Sequence, residues 1–208
     1  MTTLLPPTTS RRLILGSTSP YRRELLGRLR LPFDAVNPEV DETPCAGETP
    51  RDLAWRLAGA KARAVASLHP QAVVIGSDQV ADLEGVPLGK PGNHDKATAQ
   101  LRQMRGRTVV FQTAVAVVCQ AIGFEQTRLA AVRVQFRDLS DDEIEYYLRA
   151  EQPYDCAGSA KSEGLGIGLL ATIDSDDPTA LIGLPLIRTC DLLRAAGVAL
   201  FHPQVKQA

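Results

Sequence analysis

Residues 73–80 read Val-Val-Ile-Gly-Ser-Asp-Gln-Val, and no other stretch restricts the fold as much. Three consecutive β-branched apolar residues predict a buried strand. Polar residues follow at once, so Asp78 is predicted at the carboxyl end of that strand. In open α/β sheets, ligands bind in the crevice beyond the carboxyl ends of the strands, which makes Asp78 a candidate for chemistry. An Asp in this position also commonly caps or turns a strand, so this stretch alone leaves both interpretations open.

The composition excludes several classes of protein. A chain of 208 residues predicts one domain. A net charge of −1 gives no electrostatic attraction for nucleic acid or an anionic membrane, and no apolar run is long enough to span a bilayer. The four cysteines form no CxxC pair and the three histidines are scattered, which argues against a zinc site or a disulfide framework and fits a cytoplasmic protein. Any metal would therefore bind through carboxylates.

A strand, a short polar loop and the N-terminus of a helix are predicted over residues 13–29. Ser19 is a good N-cap and Pro20 a good first helical residue. The arrangement collects free backbone N–H groups and suits an anion, although no Walker A spacing is present. Arg22 and Arg23 fall in the first helical turn, where positive charge opposes the helix dipole. This placement favours phosphate binding over a solvated pair of surface arginines.

Further charged candidates lie on a loop, a helix and a turn. The loop 37–48 is rich in acids, Glu42 among them, and could hold a divalent cation against a polyphosphate, although solvated acids are commoner. Lys61 lies at the edge of the apolar stripe of a helix that begins at Pro50, so it either extends along the surface to water or points into a cleft. Lys90 is fixed between Gly and Pro, where a site lysine and a solvated turn lysine are equally compatible with the pattern.

The second half of the chain supplies more regular elements and one irregular stretch. Residues 152–177 are rich in small residues and predict a loop that closes over a ligand. The remaining predictions are a helix over 95–104, strands over 108–119 and 127–137, a capping box at Ser140 that opens another helix, and a final helix through Leu193.

Seven motifs occur in an order that resembles the Maf family. They are S-T-S-P-Y-R-R-E-L-L, V-D-E, G-A-K-A, I-G-S-D-Q-V, G-K-P, A-G-S-x-K-S-E-G and L-I-G-L-P-L. Together they span roughly Leu13 to Leu193. The resemblance implies an α/β fold related to the inosine-triphosphate pyrophosphatases, an elongated mixed sheet flanked by helices, with two lobes and a central cleft.

The resemblance also divides the chain and implies an activity. Residues 11–200 are expected to form a single two-lobed Maf-like domain, between a disordered leader at 1–10, which lacks the apolar segment of a signal peptide, and a tail at 201–208. Maf proteins are nucleoside triphosphate pyrophosphatases, hydrolases of acid anhydrides that remove modified nucleotides. The expected partners are thus a nucleotide substrate, a divalent Mg or Mn ion and, as in many relatives, a second copy in a homodimer.

The family's roles transfer to individual positions of this sequence. Asp78 corresponds to the proton acceptor for the attacking water, and a triphosphate with developing charge requires several cations aimed at it. The resemblance implies catalytic roles for Lys61 and Lys90, phosphate binding by Ser17 and Arg22, and metal binding by Glu42. Arg23, from its place in the first helical turn, is a further candidate for phosphate binding, and Asp78 is a further candidate metal ligand.

Three positions resemble the bacterial branch that hydrolyses 7-methylguanosine triphosphate. They are Tyr21, Gln79 and Glu163, and a positively charged 7-methylguanine ring gains from an aromatic face and from a carboxylate. One departure is Tyr21, because that branch is expected to have the stronger cation–π partner Trp there. The alternatives are a dTTP and UTP pyrophosphatase of the same family, and a nucleotide-binding regulator of septum formation.

Overall fold

The structure is a computed structural model, and it describes residues 11–201. Within that range a mixed sheet of seven strands is accompanied by five α-helices. The strands are β1 (Leu13–Gly16), β2 (Asp34–Val36), β3 (Val73–Leu83), β4 (Val86–Leu88), β5 (Thr108–Cys119), β6 (Phe124–Phe136) and β7 (Leu170–Asp174). The helices are α1 (Pro20–Gly27), α2 (Pro50–Leu68), α3 (His94–Met104), α4 (Asp141–Glu151) and α5 (Leu186–Ala195).

The strand order in the sheet is β2-β1-β3-β5-β6-β7, and β4 pairs with β3. β1 runs parallel to β2 and to β3, whereas all other pairs are antiparallel. The prediction of a mixed sheet flanked by helices is confirmed. The predicted leader and residues 202–208 of the predicted tail lie outside the described residues.

β3 is longer than the sequence predicted, which changes the position of Asp78. The strand continues to Leu83 and pairs with β5 from Val74 to Asp82. Its parallel pairing with β1 stops at Gly76. Asp78 is therefore in the interior of β3, and it lies just past the carboxyl end of β1. The polar residues do not end the strand because their side chains find partners inside the fold.

Local capping signals set the helix boundaries as predicted. The side chain of Ser19 accepts a hydrogen bond at the start of α1, and that of Thr49 does so at the start of α2. Ser140 and Glu143 form the reciprocal capping box of α4. These short-range interactions require no tertiary contact, so the sequence alone is sufficient to predict them.

The stretch 152–177, predicted to be irregular, contains a strand. β7 pairs antiparallel with β6 between Arg133 and Phe136, and short 3₁₀ turns precede it. Only Leu170 of β7 is buried. The prediction was wrong here because an edge strand with four exposed residues has no alternating pattern to reveal it.

The apolar core has three parts that surround the sheet. α2 packs on one face, through Leu57, Val65 and their neighbours. α1 and α5 contribute to a second cluster, which includes Leu25 and Leu192, and α3 and α4 contribute to a third around Phe111. Between residues 11 and 201, no helix combines the length and apolar character needed to cross a membrane.

Candidate active site

A cavity of about 320 Å³ lies where the loop after β1, the start of α1 and β3 meet. Asp78 is buried next to it and contacts the lining residue Lys61. Arg23 does not line the cavity, and its side chain is exposed. The structure thus brings the predicted site residues together except for Arg23. Those that line the cavity are Ser17, Tyr21, Arg22, Glu42, Lys61, Gln79, Lys90 and Glu163.

The loop after β1 is organised by two serine side chains. Ser17 is buried, and its Oγ accepts a hydrogen bond from the backbone N–H of Ser19 at 3.1 Å. Ser19 Oγ in turn accepts from the backbone N–H of Arg22 at 3.4 Å. The Arg22 Nε donates to the Gly183 carbonyl at 2.8 Å. This anchors the guanidinium at the cavity, beside a helix N-terminus suited to an anion.

Lys61 joins the two carboxylates that the sequence singled out. Its Nζ lies 2.7 Å from Asp78 Oδ1 and 2.7 Å from Glu42 Oε1. Lys61 and Asp78 are only 4% and 6% exposed, whereas Glu42 is exposed. Burial acts to raise the pKa of Glu42, but three neighbouring cations hold it below its ordinary value. These cations are Lys61, Lys90 and Arg22. We call the three cations, together with the carboxylates of Glu42 and Asp78, the cationic group.

The carboxylates of this group fit a divalent cation in part. Glu42 and Asp78 each use one oxygen on Lys61, and their other oxygens accept no hydrogen bond from residues 11–201. Oxygen ligands of this type suit Mg²⁺ and Mn²⁺. The described part of the chain brings no three His, Cys, Asp or Glu side chains together as a metal-binding group. A bound cation would therefore take its remaining ligands from substrate and water.

Polar side chains of β3 hold the loop before α5 against the sheet. Ser77 Oγ lies 2.8 Å from the Ala114 carbonyl and 3.0 Å from that of Gly183. Gln79 Nε2 lies within 3.0 Å of Thr113 Oγ1 and of the carbonyls of Ala180 and Leu181. Because these contacts occupy the amide NH₂, Gln79 has only its oxygen left to offer a ligand.

A second set of side chains surrounds Tyr21, and we call it the aromatic group. Tyr21, Asp155, Cys156 and Glu163 all line the cavity. The Tyr21 hydroxyl makes long contacts of 3.4 and 3.5 Å with the Asp155 carboxylate. Burial, the Cys156 sulfur and the two acids raise the pKa of Tyr21, so its hydroxyl stays protonated. Burial likewise raises the pKa of the Cys156 thiol to about 12.

Several cavity residues escaped the sequence analysis as site candidates. Asp155 and Cys156 directly precede the A-G-S motif, and residues 181–183 also line the cavity. Asn37 and Pro38 line it from the loop after β2. Residues 181–183 stand in the L-I-G-L-P-L motif, but the motif does not show that side chains of β3 bind this segment. Asp155 reaches the site through its contact with Tyr21, which no local pattern reveals.

Comparison with known proteins identifies the class and then the family. The fold and site define an α/β protein whose cavity combines carboxylates with several cations and lies beside the buried Asp78. The chain belongs to the Maf family, because the model of that family, described as Maf-like protein, matches residues 12–196.

Curated relatives cover nearly the whole chain. It is 76% identical over 199 residues to a protein of Polaromonas sp. strain JS666, covering 96% of this chain and 90% of the relative. It is 70% identical over 188 residues to one of Albidiferax ferrireducens, covering 90% and 94%. A protein of Burkholderia thailandensis is 61% identical over 200 residues, covering 95% and 93%. All three carry the name 7-methyl-GTP pyrophosphatase.

Proposed function

We propose that this protein hydrolyses 7-methylguanosine triphosphate to 7-methylguanosine monophosphate and diphosphate. The observation that carries the proposal is the division of charge within one cavity: three cations and two carboxylates form the cationic group, and two acids flank Tyr21. A nucleotide with a polyanionic tail and a cationic base matches both groups. The relatives named 7-methyl-GTP pyrophosphatase support the same substrate.

Arg22, Lys61 and Lys90 hold the triphosphate in this proposal. Their positive charges stabilise the transition state most, because negative charge then moves onto the leaving diphosphate. Ser17 and the N–H groups at the start of α1 bind a further phosphate oxygen. Arg23 is exposed and lies outside the lining, so we assign it at most a long-range electrostatic contribution to phosphate binding.

Asp78 accepts the proton of the attacking water. Lys61 holds Oδ1, which fixes the carboxylate and leaves Oδ2 for the water. Water attacks the α-phosphorus, the bond to the bridging oxygen breaks, and diphosphate leaves with the electron pair. Glu42 and Asp78 would hold a Mg²⁺ or Mn²⁺ ion, which when bound supplies Lewis-acid stabilisation of the phosphate charge.

The base lies against Tyr21. Gln79 offers its amide oxygen and Glu163 its carboxylate, both of which accept hydrogen bonds from the N–H edge of a guanine. We also propose that residues 11–200 form one domain and that the cavity is the cleft between two lobes, one built around the α3 and α4 cluster and the other around α1, α2 and α5. Cytoplasmic location and a homodimer stay predictions.

The proposal is tested by following products and isotope together. Purified protein is supplied with Mg²⁺ or Mn²⁺ and offered 7-methylguanosine triphosphate, GTP, UTP and dTTP in water enriched in ¹⁸O. We expect the methylated nucleotide to react fastest, with the label in the monophosphate and none in the diphosphate. Asp78→Asn should lose roughly 100-fold or more in kcat. Asp174→Asn, at an exposed acid on β7, is the matched control and should retain the activity.

Other outcomes identify the alternatives. Preferred turnover of UTP or dTTP with the same label would keep the mechanism and replace the substrate. Tight nucleotide binding without turnover would support a regulatory protein. Asp78 argues against that alternative, because binding of phosphates alone does not require a carboxylate beside them.

A further inference from the structure

The acids of the aromatic group take no part in the salt bridges of the described residues. Among residues 11–201, neither Asp155 nor Glu163 forms a salt bridge, although both line the cavity. Both also help to raise the pKa of Tyr21 and of the Cys156 thiol, after burial as the largest cause. The surroundings of the Tyr21 ring are thus electrically negative.

Lys161 does not fully cancel this negative charge. Its Nζ lies 5.8 Å from the centre of the Tyr21 ring, but it also lies 2.7 Å from Glu151 Oε1. Glu151 is in turn fixed by the backbone N–H of Leu165 at 2.9 Å. Lys161 pairs mainly with Glu151, although attraction to Glu163 also contributes to its raised pKa. Lys161 thus offsets part of the charge of Glu163, whereas Asp155 forms no salt bridge within residues 11–201.

Both acids repel the triphosphate of any nucleotide. Glu163 can offset this cost with an uncharged guanine by accepting its N–H groups, but Asp155 has no such role in the proposed function. A base methylated at N7 carries a positive charge and recovers this cost by direct attraction. Glu163 stands in a motif that the sequence analysis already linked to the base. Asp155 has no such assignment, yet it lines the cavity and its carboxylate accepts long contacts from the Tyr21 hydroxyl.

We propose that Asp155 is a specificity-determining residue whose charge favours N7-methylated, cationic purine nucleotides over unmethylated ones. The proposal rests on the proposed function and adds a residue to it. Asp155 acts at the base and not at the reacting phosphorus. Its removal should therefore change the ratio of kcat/KM between the two nucleotides more than the rate of either one at saturation.

The test compares 7-methylguanosine triphosphate with GTP at low ionic strength. Asp155→Asn removes the charge but keeps an oxygen that accepts from Tyr21, so the ring stays in place. We expect the ratio of kcat/KM, methylated over unmethylated, to fall roughly three- to tenfold, as the loss of one partly solvated charge should produce. Asp155→Glu should restore most of the ratio, and Asp155→Lys should lower it further. Asp138→Asn, an exposed acid that does not line the cavity, is the control.

The ionic strength separates charge from structure. Added salt should reduce the difference between the kcat/KM ratios of wild type and Asp155→Asn. The reason is that the attraction between the Asp155 charge and the base is partly exposed to solvent and is therefore screened. The role of Asp155 would be overturned if kcat/KM fell equally for both nucleotides. It would also be overturned if the ratio of kcat/KM were unchanged in both the Asn and the Lys variants. If the wild type fails to hydrolyse the methylated nucleotide, the proposed function is wrong, which the same assay reports separately.

Discussion

Lys61 is the residue that joins the loop of Glu42 to the strand of Asp78. The sequence left two interpretations of this lysine open, since a position at the edge of an apolar stripe does not say where the ammonium goes. In the structure the side chain is buried and contacts both carboxylates at 2.7 Å. A buried ion pair adds little net stability, because desolvation offsets its attraction. We therefore interpret this cluster as functional, with folding as a secondary effect.

Tyr21 stands where the related branch is expected to carry Trp, and the structure allows the substitution to be tested. The Tyr21 ring is half-buried and lines the cavity. Since Trp is the better cation–π partner, Tyr21→Trp should raise kcat/KM for 7-methylguanosine triphosphate relative to GTP by roughly threefold. The measurement is diphosphate release with both nucleotides under the same conditions.

The control for this change is a tyrosine away from the cavity. Tyr146→Trp alters an exposed residue of α4 that does not line the cavity, and it should leave the ratio unchanged. A lower ratio in Tyr21→Trp would mean that the ring fits the space and does not act through its π electrons.

The resemblance to a branch of the Maf family was sufficient to nominate Tyr21, Gln79 and Glu163 as candidates. It did not predict that the Gln79 amide is committed to Thr113 and to the loop before α5. Asp155 was missed for the same reason, since its significance comes from a contact with Tyr21 that spans 134 positions. The sequence can thus identify single candidate residues. It cannot show which of their atoms are already hydrogen-bonded within the fold and which remain available to a ligand.

At the scale of elements, the contact between α2 and β3 positions Lys61 against Asp78. Gly76 makes the close approach possible, because a Cβ there would lie 2.4 Å from the Ala58 carbonyl and 2.5 Å from the Ala62 nitrogen. Both neighbours are backbone atoms of α2 and cannot move without the helix. Gly76→Ala should therefore lower the free energy of unfolding by roughly 3 kcal/mol, the upper range for overpacking. Urea unfolding measures the loss.

Activity should fall with stability in this variant, since the helix that carries Lys61 must shift away from Asp78. Gly27→Ala is the matched control: it lies at the end of α1, and a Cβ there meets nothing within 4 Å. It should be neutral or slightly stabilising, because Ala is the better helix former. A Gly76→Ala protein as stable as the Gly27→Ala protein would show that α2 is not closely seated on β3.

Elements were predictable where a local signal defined them. The N-caps at Ser19 and Thr49 and the capping box at Ser140 involve only residues close together in sequence. β7 was not predictable because its extended conformation depends on its pairing with β6, which is a tertiary contact. The length of β3 was missed for a related cause: the polar run after Gly76 resembles a strand end until the partners of Ser77, Asp78 and Gln79 are known.

The whole molecule depends on a topology that no short pattern contains. β1 runs parallel to β3, and β3 continues antiparallel to β5, so the polar half of β3 lies beyond the end of β1 and opens onto the cavity. Strand order is set by pairing over long separations in sequence. The family resemblance supplied a mixed sheet flanked by helices as an expectation but no strand order, and periodicity and turn residues supplied only the elements.

Carboxylates paired with cations link the stability of the whole molecule to pH. Glu48 is an informative case, because it forms contacts of 2.6 and 2.8 Å with Arg56 and accepts from the Cys45 N–H at 2.9 Å. These interactions, Arg56 first, lower the pKa of Glu48 from 4.5 to about 2. They also fasten the loop that carries Glu42 to α2. A carboxyl whose pKa is lower when folded stabilises the protein above its unfolded pKa, and this contribution is lost as pH falls toward the folded pKa.

We therefore expect the melting temperature to fall as pH decreases from about 4.5 to about 2, the range given by the ordinary and the lowered pKa of Glu48. Glu48→Gln removes the titrating group while it keeps the size of the side chain. The difference in melting temperature between wild type and variant should be largest near pH 6 and should close toward pH 2. Glu84→Gln is the control, since Glu84 also contacts an arginine but lies at the exposed β3–β4 turn. A difference that stays constant over the whole pH range would mean that Glu48 acts by its shape, and that the loop of Glu42 is not held by charge.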